Sequence, residues 1–363
     1  MFKNISIIGD GAMATVLAML LCEKASTAEC AKTHSTSSGQ AAEEKSKLND
    51  IRNTQYAIRV RMWGYDQEQL EQIEKARENK KFLPGYKLPE SLVFESRDDH
   101  IMTGADLIIS AVPCQFTRGI WTRLKKYFPI DVPILSVTKG IENDTLLRPS
   151  QIFADVLGEG VRPVALSGPT IADELARKLP ATAAIACDDE ELAKKVQITF
   201  STQWLRVYTN TDIVGVELAG AMKNIIAIAA GIIDGMGAGD NAKAALLSRG
   251  LAEITRLGIA CGARPQTFAG LTGLGDLVTT CISPRGRNRS FGERIGKGQT
   301  AEQAKEATES VIEGIATCES AVALGKQYNV EMPITNAVYE VLFEGKSVHR
   351  AIADLMQRQL KAE

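Results

Sequence analysis

Histidine and paired cysteine are scarce in this sequence, which argues against one class of site. Only three of the 363 residues are histidines, His34, His100 and His349, and none of the seven cysteines belongs to a Cys-x-x-Cys pair. Because a zinc site needs clustered cysteine and histidine ligands, we expect no metal. Several cysteines lie in apolar runs, which favours buried, reduced thiols and a cytoplasmic protein.

Neither an excess of charge nor a membrane-spanning segment stands out. The chain carries 42 Lys and Arg against 44 Asp and Glu, a formal net charge of -2, so we expect no affinity for nucleic acid or anionic membranes. The first residues, MFKNISIIG, lack the basic region and long apolar stretch of a secretory signal. No uninterrupted apolar segment is long enough to cross a bilayer, and we expect no integral membrane association.

The first half of the chain alternates short apolar runs with helix-like stretches. In AIRVRMWG, the residues Ile58, Val60 and Met62 alternate with arginines, which is the period of a half-exposed strand. Continuously apolar runs, typical of central parallel strands, occur in DLIISAVP and VPILSVTKG. Further strand-like runs are ISIIG, RPVALSGP, ATAAIAC and QWLRVYT. Strands interleaved with helices predict an α/β domain over residues 1–211, with a Rossmann-type, doubly wound and mostly parallel sheet.

The pattern of apolar residues changes near Asp212, from strand-like runs to helical periodicity. From VGVELAGAMKNIIAIAAGIIDG onward, helical periodicity and small residues predict a mainly α-helical C-terminal domain over residues 212–363. One stretch fits neither half, since residues 26–54 are rich in Ser, Thr, Ala, Glu and Lys and nearly free of large apolar side chains. Such a stretch buries little surface, so we predict a solvent-exposed loop or loose helix inserted between the first helix and the second strand.

The stretch IIGDGAMATVLA predicts a strand, a tight turn and a helix suited to a dinucleotide. In a Rossmann unit the first glycine permits the turn, the second admits the pyrophosphate, and the third lets helix and strand pack closely. Here these positions hold Gly9, Gly11 and Ala14, and alanine adds only one methyl group. The helix N-terminus offers free N–H groups and a partial positive charge. By itself the pattern is weak, because any strand–turn–helix can contain two glycines.

The choice between NAD and NADP stays open at the sequence level. The acidic residue expected at the end of the second strand is displaced, since that strand ends in MWGYD with Tyr65 before Asp66. Arg59 and Arg61 are either solvated edge residues or a handle for a 2′-phosphate.

Lysine is the strongest candidate for acid–base chemistry. A dehydrogenase acting on an alcohol needs a group that takes the hydroxyl proton, and no histidine lies in a glycine-rich or strand-end context. Lys223 is the one charge in the apolar run after Glu217, where desolvation and a neighbouring cation lower a lysine pKa. The alternative is a snorkelling helix residue. Lys139 follows the strand PILSVT, where open parallel sheets bind ligands, although an isolated loop lysine is more often a surface residue.

Two glycine-rich stretches in the second half supply further polar groups. GLTGLGDLVTTC places Asp276 in a turn, and SPRGRNRSFG presents Arg285, Arg287, Asn288 and Arg289 together. Arginine and asparagine donors beside a glycine-rich backbone suit an oxyanion such as a phosphate. Basic loops are usually just solvated, so this cluster alone carries little weight.

Taken together, these stretches resemble the family of cytosolic, bacterial-type NAD(P)-dependent glycerol-3-phosphate dehydrogenases. The matching motifs run in the family's order from Ile7 to about Val348 and leave out only the insert. They are IIGDGAMATVLA, NKKFLPGYKLPESL, DLIISAVPCQF, SVTKGIE, LSGPTIADEL, VELAGAMKNIIAIAAGI, GDNAKAALLSRGLAEI, GLTGLGDLVTTC, GRNRSFG and VIEGIAT. The resemblance implies a cytoplasmic enzyme, expected to be a homodimer, that interconverts sn-glycerol 3-phosphate and dihydroxyacetone phosphate with NAD or NADP. It further implies that the product serves glycerophospholipid synthesis.

The same resemblance implies a role for each matching residue. Lys223 matches the proton-accepting lysine, and Lys139 matches a lysine near both cofactor and substrate. The other positions matching substrate contacts are Gly168, Thr170, Asp276, Gly286, Arg287 and Asn288, of which Arg287 and Asn288 are at the phosphate. The positions matching cofactor contacts are Gly9, Gly11, Ala12, Met13, Tyr65, Phe116, Lys139, Ala172, Arg287, Val311 and Glu313, with Tyr65 and Phe116 as aromatic walls.

The sequence also departs from the family pattern, and two other functions stay open. Ala12, Met13 and Ala14 replace the more usual small-polar, aromatic and glycine residues, and Gly286 stands where serine is common. One alternative is another two-domain hydroxy-acid dehydrogenase. A second is a nucleotide-binding sensor or inactive homologue, which these departures and the insert suggest. The retained lysines and phosphate-binding residues argue against the second alternative.

Overall fold

The computed structural model describes residues 1–30, 58–308 and 311–360. Its strands are β1 (Asn4–Ile8), β2 (Arg59–Trp63), β3 (Glu78–Asn79), β4 (Leu83–Lys87), β5 (Val93–Phe94), β6 (Leu107–Ser110), β7 (Ile134–Ser136), β8 (Pro163–Ser167), β9 (Ala181–Ala186) and β10 (Leu205–Asn210). The helices within this half are α1 (Ala12–Cys30), α2 (Gln67–Ala76), α3 (Asp98–Ile101), α4 (Cys114–Leu124), α5 (Pro149–Leu157), α6 (Ala172–Ala176) and α7 (Glu190–Phe200), with a 3₁₀ turn at Lys125–Tyr127.

Helices make up the regular structure described after β10. They are α8 (Ile213–Met236), α9 (Asp240–Ala260), α10 (Pro265–Ala269), α11 (Asp276–Ile282), α12 (Arg287–Gly296), α13 (Ala301–Glu306), α14 (Glu313–Gln327), α15 (Pro333–Phe343) and α16 (Val348–Met356), with a π-helical turn at Leu271–Gly275. The Asp212 side chain accepts a hydrogen bond from the N–H of Gly215 and so caps α8. The change to helical periodicity near Asp212 therefore coincides with the start of a helix.

Eight strands form one sheet in the order β10-β9-β8-β7-β6-β1-β2-β5. Every neighbouring pair is parallel except β8 and β9, which are antiparallel. Strands β3 and β4 form a separate antiparallel hairpin. The predicted α/β fold with a mostly parallel sheet is confirmed, and each strand-like run named above contains a strand.

The carboxyl ends of the central strands meet at one edge of the sheet. In the register, Ile8 lies beside Ser110, Ser110 beside Ser136, and Ser136 beside Ala165. Loops that follow β1, β6, β7 and β8 therefore leave the sheet side by side. Open parallel sheets bind ligands at such an edge, which we call the carboxyl edge.

Both faces of the sheet are covered by apolar side chains. Ala14 and Leu17 of α1 are buried against one face, and Trp121 of α4 and Phe153 of α5 are buried against the other. Of the six cysteines whose side chains are described, five are buried and all are free thiols. The predicted insert begins inside α1, whose backbone continues to Cys30. From residue 31 to 57 the prediction for the insert lies outside the described residues.

Helix α8 is the centre of the helical half. Within the described residues it alone has the length and composition to cross a membrane, although Glu217 and Lys223 interrupt its apolar run, and 94% of its most apolar stretch is buried inside the protein. The helix is apolar all round because it is surrounded, which is typical of a core helix.

Two pairs of glycines allow α8 and α12 to pack in direct backbone contact. Gly231 and Gly235 lie on α8, and Gly292 and Gly296 lie on α12. A Cβ atom on Gly292 would lie 2.0 Å from the carbonyl oxygen of Ile228, and one on Gly231 would lie 1.9 Å from that of Arg289. The close approach fixes α12 relative to the C-terminal part of α8.

Candidate active site

A carboxylate between two lysines forms the centre of the site. The Nζ of Lys223, in the middle of α8, contacts Oδ1 of Asp276 at the start of α11. The Nζ of Lys139, in the loop after β7, donates to Oδ2 of the same carboxylate at 2.9 Å. Lys223 is only 5% exposed and Asp276 only 2%. The structure thus brings three predicted site residues together at the carboxyl edge.

The three charges do not balance, and this sets their pKa values. The pKa of Lys223 is lowered to about 7, chiefly by burial; the Asp276 carboxylate opposes this fall, and the positive charge of Lys139 adds to it. Burial also opposes the charge of Lys139, but the adjacent Asp276 carboxylate raises the pKa of Lys139 above its ordinary value. Burial by itself would raise the pKa of Asp276, whereas the two lysines hold it below its usual range. One carboxylate satisfies one ammonium group, so the other lysine releases its proton easily.

Two further residues at this centre were missed by the sequence interpretation. The Nζ of Lys223 donates to Oγ1 of Thr280 at 2.8 Å, and that hydroxyl donates to the backbone oxygen of Asp276 at 2.6 Å. Asn224 is 3% exposed, and within the described part of the chain its Nδ2 has no hydrogen-bond partner. A buried amide without a partner is costly, which marks Asn224 as a donor for a ligand. The position of Asn224 directly after the candidate lysine was a sequence signal that could have identified it.

The loop after β8 is tied to the same carboxylate. Ser167 Oγ lies 3.5 Å from Oδ2 of Asp276. Gly168 has a φ of +140°, and a Cβ there would lie 3.0 Å from Cα of Ala183, so the close approach of β9 requires glycine. The Thr170 hydroxyl is buried and donates to the carbonyl oxygen of Gly168 at 3.1 Å. Ala172 follows as the first residue of α6.

The predicted phosphate-binding residues lie at the start of α12. The Arg287 side chain is exposed, and its Nη1 donates to the carbonyl oxygen of Val311 at 3.2 Å. Asn288 is buried, and its Oδ1 accepts from the N–H of Gly314 at 2.9 Å. Gly286 precedes the helix, and a Cβ at that position would lie 3.1 Å from the carbonyl oxygen of Thr280. The missing serine at 286 therefore accompanies a close approach of this loop to α11.

The glycine loop after β1 has the shape that a pyrophosphate requires. Gly9 has a φ of +122°, and a Cβ there would lie 2.7 Å from the carbonyl oxygen of Ala111. At Gly11 a Cβ would enter open space, with no atom within 4 Å. Ala12 and Met13 begin α1, whose first N–H groups have no partner inside the helix. The residues present thus fit a bound dinucleotide phosphate.

Ala14 occupies the position where the third glycine of a Rossmann unit lets the helix and strand pack closely. Its side chain is 0% exposed and belongs to the core between α1 and the sheet. The extra methyl group is therefore accommodated as packing.

The remaining predicted cofactor residues line the same edge more loosely. Tyr65 follows β2 and Phe116 lies in α4, and both aromatic side chains are exposed. Val311 is also exposed, and the half-buried Glu313 is the first residue of α14. Burial raises the pKa of Glu313, while Arg287 and the two site lysines oppose that rise. Glu313 is thus close to the central charges, and Tyr65 lies further along the edge, beyond β1.

The two arginines considered as a 2′-phosphate handle are not at the carboxyl edge. Arg59 is the first residue of β2, at the opposite end of that strand. The Arg61 Nη1 donates to the carbonyl oxygen of Thr103 at 2.7 Å. The interpretation of these residues as a phosphate handle is wrong, because alternation along a strand fixes a face of the sheet and not an end.

Among the described residues, no group of three or more His, Cys, Asp or Glu side chains is arranged to hold a metal ion.

A glycine-rich phosphate loop on a doubly wound sheet, with a buried lysine brought to its carboxyl edge by a helical half, defines an NAD(P)-dependent oxidoreductase. The family model for the N-terminus of NAD-dependent glycerol-3-phosphate dehydrogenase matches residues 4–193, and that for its C-terminus matches residues 212–353. The chain therefore belongs to the NAD-dependent glycerol-3-phosphate dehydrogenase family.

Individual relatives agree with this assignment. A glycerol-3-phosphate dehydrogenase [NAD(P)+] from Citrifermentans bemidjiense is 42% identical over 100% of this chain and 99% of its own. One from Bacillus pumilus is 47% identical over 82% of this chain and 87% of its own. The crystal structure of glycerol-3-phosphate dehydrogenase from Coxiella burnetii superimposes with a TM-score of 0.86 at 32% identity, covering 98% of this chain and 99% of that one. The family resemblance drawn from the sequence motifs is confirmed.

Proposed function

We propose that this chain reduces dihydroxyacetone phosphate to sn-glycerol 3-phosphate with NADH or NADPH, and catalyses the reverse oxidation. The observation that carries the proposal is the buried Lys223, which shares the carboxylate of Asp276 with Lys139 at the carboxyl edge. The name carried by a relative 42% identical over the full chain supports this substrate.

The residues of the glycine loop would hold the dinucleotide. Gly9 shapes the turn, Gly11 leaves the space a phosphate needs, and the N–H groups of Ala12 and Met13 point from the start of α1. A nicotinamide cofactor supplies or accepts the hydride when bound. The other residues proposed to contact it are Tyr65, Phe116, Lys139, Ala172, Arg287, Val311 and Glu313.

Lys223 is proposed as the proton donor in the reducing direction and the acceptor in the oxidising direction. Its pKa of about 7 lets it exchange a proton near neutral pH. Asp276 and Thr280 each contact the amine, which fixes its position. Lys139, whose pKa is raised, stays protonated and with Asp276 holds the reacting end of the substrate.

The other end of the substrate is a phosphate, and α12 begins with the groups that suit it. Arg287 supplies an exposed guanidinium and Asn288 a side-chain amide at the helix N-terminus. Gly168, Thr170 and Gly286 are proposed to line the pocket, and the unpartnered amide of Asn224 adds a donor. Anchoring the unreactive end of the substrate converts binding energy into orientation at the carbonyl.

We further propose the setting in which this activity operates. The chain divides into a dinucleotide-binding domain over residues 1–211 and a substrate domain over residues 212–363, and two copies form a homodimer. It acts in the cytoplasm, and its product serves glycerophospholipid synthesis. The near-neutral formal charge of -2 supports a small-molecule substrate and no nucleic-acid partner.

A spectrophotometric assay tests the proposal directly. Oxidation of NADH and of NADPH is followed with dihydroxyacetone phosphate, and ketopantoate serves as the comparison substrate; oxidation of hydroxyisobutyrate with NAD and NADP is measured in parallel. Turnover with dihydroxyacetone phosphate alone supports the proposal. Preference for either hydroxy-acid pair overturns the substrate assignment. Binding of NADH without oxidation by any keto-phosphate would instead establish a nucleotide sensor.

A further inference from the structure

Asp10, inside the glycine loop, contacts the strand next to it. A Cβ atom on Gly64 would lie 3.0 Å from Oδ2 of Asp10, so this carboxylate lies directly against the residue that follows β2. The backbone of Asp10 is held in place by Asn79, which is fully buried and whose Nδ2 donates to the Asp10 carbonyl oxygen at 2.7 Å. The same Nδ2 donates to Oγ1 of Thr15 in α1 at 2.8 Å. The Asp10 carboxylate therefore lies at the carboxyl end of β2, on a backbone that Asn79 holds in place.

The end of β2 is where NAD and NADP differ in a doubly wound fold. In this fold an acidic side chain at the second strand bonds the ribose 2′-hydroxyl of NAD, and an arginine nearby accommodates the 2′-phosphate of NADP. The second strand of this chain ends at Trp63 and is followed by Gly64 and Tyr65, and none of these three residues is acidic. Asp10 brings a carboxylate to the same place from the first loop.

In the part of the chain that the structure describes, the arginine that contacts the end of β2 is not free to bind a phosphate. Arg123 lies over the rings of Trp63 and Tyr65, at 5.3 Å and 5.7 Å, but its guanidinium is paired with both oxygens of Asp98 at 2.6 Å and 2.9 Å. Asp66 adds a second carboxylate, which caps α2 by accepting from the N–H of Gln69 at 3.2 Å. Burial raises the pKa of Asp10 and Asp66 raises it further, whereas Lys81 opposes this rise. Asp10 thus lies within the field of both a like charge and one lysine.

We propose that Asp10 determines cofactor specificity by accepting a hydrogen bond from the ribose 2′-hydroxyl of NAD and repelling the 2′-phosphate of NADP. The inference rests on the proposed function only in that a nicotinamide dinucleotide occupies the glycine loop. A phosphate monoester carries close to two negative charges above its second pKa of about 6. Asp10 and Asp66 oppose that charge, and Lys81 only partly offsets them.

Direct nucleotide binding tests this inference without any turnover. NADH and NADPH are titrated into the wild-type protein at about pH 8, where the carboxylate is ionised, and dissociation constants are measured by calorimetry. We expect NADH to bind at least about tenfold more tightly than NADPH at low ionic strength. The ratio should shrink as salt is added, because salt screens the repulsion.

Substitution at Asp10 should change the ratio of the dissociation constants for NADPH and NADH, mainly by raising the affinity for NADPH. In Asp10→Asn the preference for NADH should fall about tenfold, because the amide keeps the shape of the side chain and loses its charge. Asp10→Ala should lower the ratio in the same direction and tests the result with a second side chain. The matched control is Asp131→Asn, which removes the same charge in the loop before β7, at the opposite end of the strands. Asp131 has a φ of 72°, a conformation that asparagine tolerates, and its ratio should equal that of the wild type.

The outcomes separate the inference from the proposed function. Equal affinity of the wild type for both nucleotides overturns the role of Asp10 and leaves the reaction in place. An unchanged ratio in both Asp10 variants, with melting temperatures close to that of the wild type, also overturns it. If neither nucleotide binds the wild type, the cofactor assignment itself fails. A preference for NADH that is lost in the Asp10 variants supports the inference even if dihydroxyacetone phosphate is not the substrate.

Discussion

At the scale of single residues, the site depends on one carboxylate shared by two amines. Asp276 contacts both Lys139 and Lys223; the side chains of Asp276 and Lys223 are buried and that of Lys139 is half-buried. Because the carboxylate neutralises only one ammonium group, the second amine releases its proton more readily than a lysine in water does.

The pH dependence of the reaction should report this lowered pKa. Reduction of the carbonyl needs Lys223 protonated, so kcat/KM for reduction should be level at acid pH and fall as pH rises through about 7. Oxidation needs the neutral amine, so its kcat/KM should rise over the same range. Initial rates in both directions across a pH series check this sign. Parallel profiles for the two directions would contradict the assignment.

Removing the amine should stop chemistry and spare nucleotide binding. Lys223→Met keeps an unbranched side chain in the apolar surroundings of α8 and deletes the proton donor. We expect kcat to fall by about 10³-fold or more, since general acid–base groups contribute roughly 10²–10⁴-fold. The dissociation constant for NADH should change less than about threefold. A variant that turns over at the wild-type rate would remove Lys223 from the mechanism.

Arg287 should act on substrate affinity instead of on the proton. Its exposed guanidinium at the start of α12 is the proposed phosphate anchor. In Arg287→Ala the KM for dihydroxyacetone phosphate should rise about 10- to 100-fold, the loss of one charge-assisted hydrogen bond or two. The matched control, Arg294→Ala, removes the same charge from an exposed position in the last turn of the same helix. An unchanged KM in Arg287→Ala would refute the anchoring role.

How far the sequence predicts these residues depends on whether their signal is local. Lys223 is visible because it interrupts an apolar run, and Lys139 because it follows a strand. Thr280 has no such signal, since it reaches Lys223 only through the packing of α11 against α8. The packing that leaves the amide of Asn224 without a partner is likewise tertiary.

At the scale of elements, the contact between α8 and α12 fixes the proposed phosphate anchor relative to the proposed proton donor. The glycine pairs bring backbone against backbone, so the position of Arg287 relative to Lys223 is set by the helices themselves. Any side chain added at this contact has to separate them.

Gly292→Ala should therefore weaken both stability and substrate binding. Its Cβ would lie 2.0 Å from the carbonyl oxygen of Ile228, and overpacking of this kind costs about 3 kcal/mol. The control Gly119→Ala lies in α4 with open space around it, and should stabilise by about 0.5 kcal/mol through helix propensity. Urea unfolding measures the change in the free energy of unfolding of each variant. Equal stability of the two variants would show that the contact between α8 and α12 is not tight.

The sequence predicts elements better than it predicts their direction. The runs ATAAIAC and QWLRVYT both become strands, yet β9 runs antiparallel to β8 while β10 runs parallel to β9. Hydrophobic periodicity indicates which face of a strand is buried, but it does not indicate whether the strand runs parallel or antiparallel to its neighbour. That reversal depends on the connection through α6 and on the close approach of Gly168 to Ala183.

At the scale of the whole molecule, a buried ion pair joins the helical half to a helix, α5, that covers the sheet. Glu217 of α8 accepts from Nη1 of Arg148 at 2.5 Å, and from the N–H and hydroxyl of Ser150 at 2.8 Å and 2.6 Å. Ser150 lies in the first turn of α5, so the carboxylate satisfies the start of that helix from across the junction.

Glu217→Ala should be strongly destabilising. Arg148 would keep its charge in a nearly buried position without its partner, and breaking a buried pair costs about 3–5 kcal/mol. The control Asp155→Asn breaks an exposed contact with Arg118 and should cost less than about 1 kcal/mol. Thermal unfolding with and without NADH compares the two. A loss at Glu217 no larger than that at Asp155 would contradict a structural role for the junction.

The path of α1 has a practical consequence for work on this molecule. The helix starts at the glycine loop and leads away from the carboxyl edge, and β2 begins at the far side, where Arg59 pairs with Asn4. The described ends of the chain on either side of residues 31–57 therefore lie at the end of the sheet remote from Lys223. A fluorophore attached at the exposed Arg59, the first residue of β2, would lie at that remote end and leave the carboxyl edge unobstructed, so the enzyme can be labelled while it turns over.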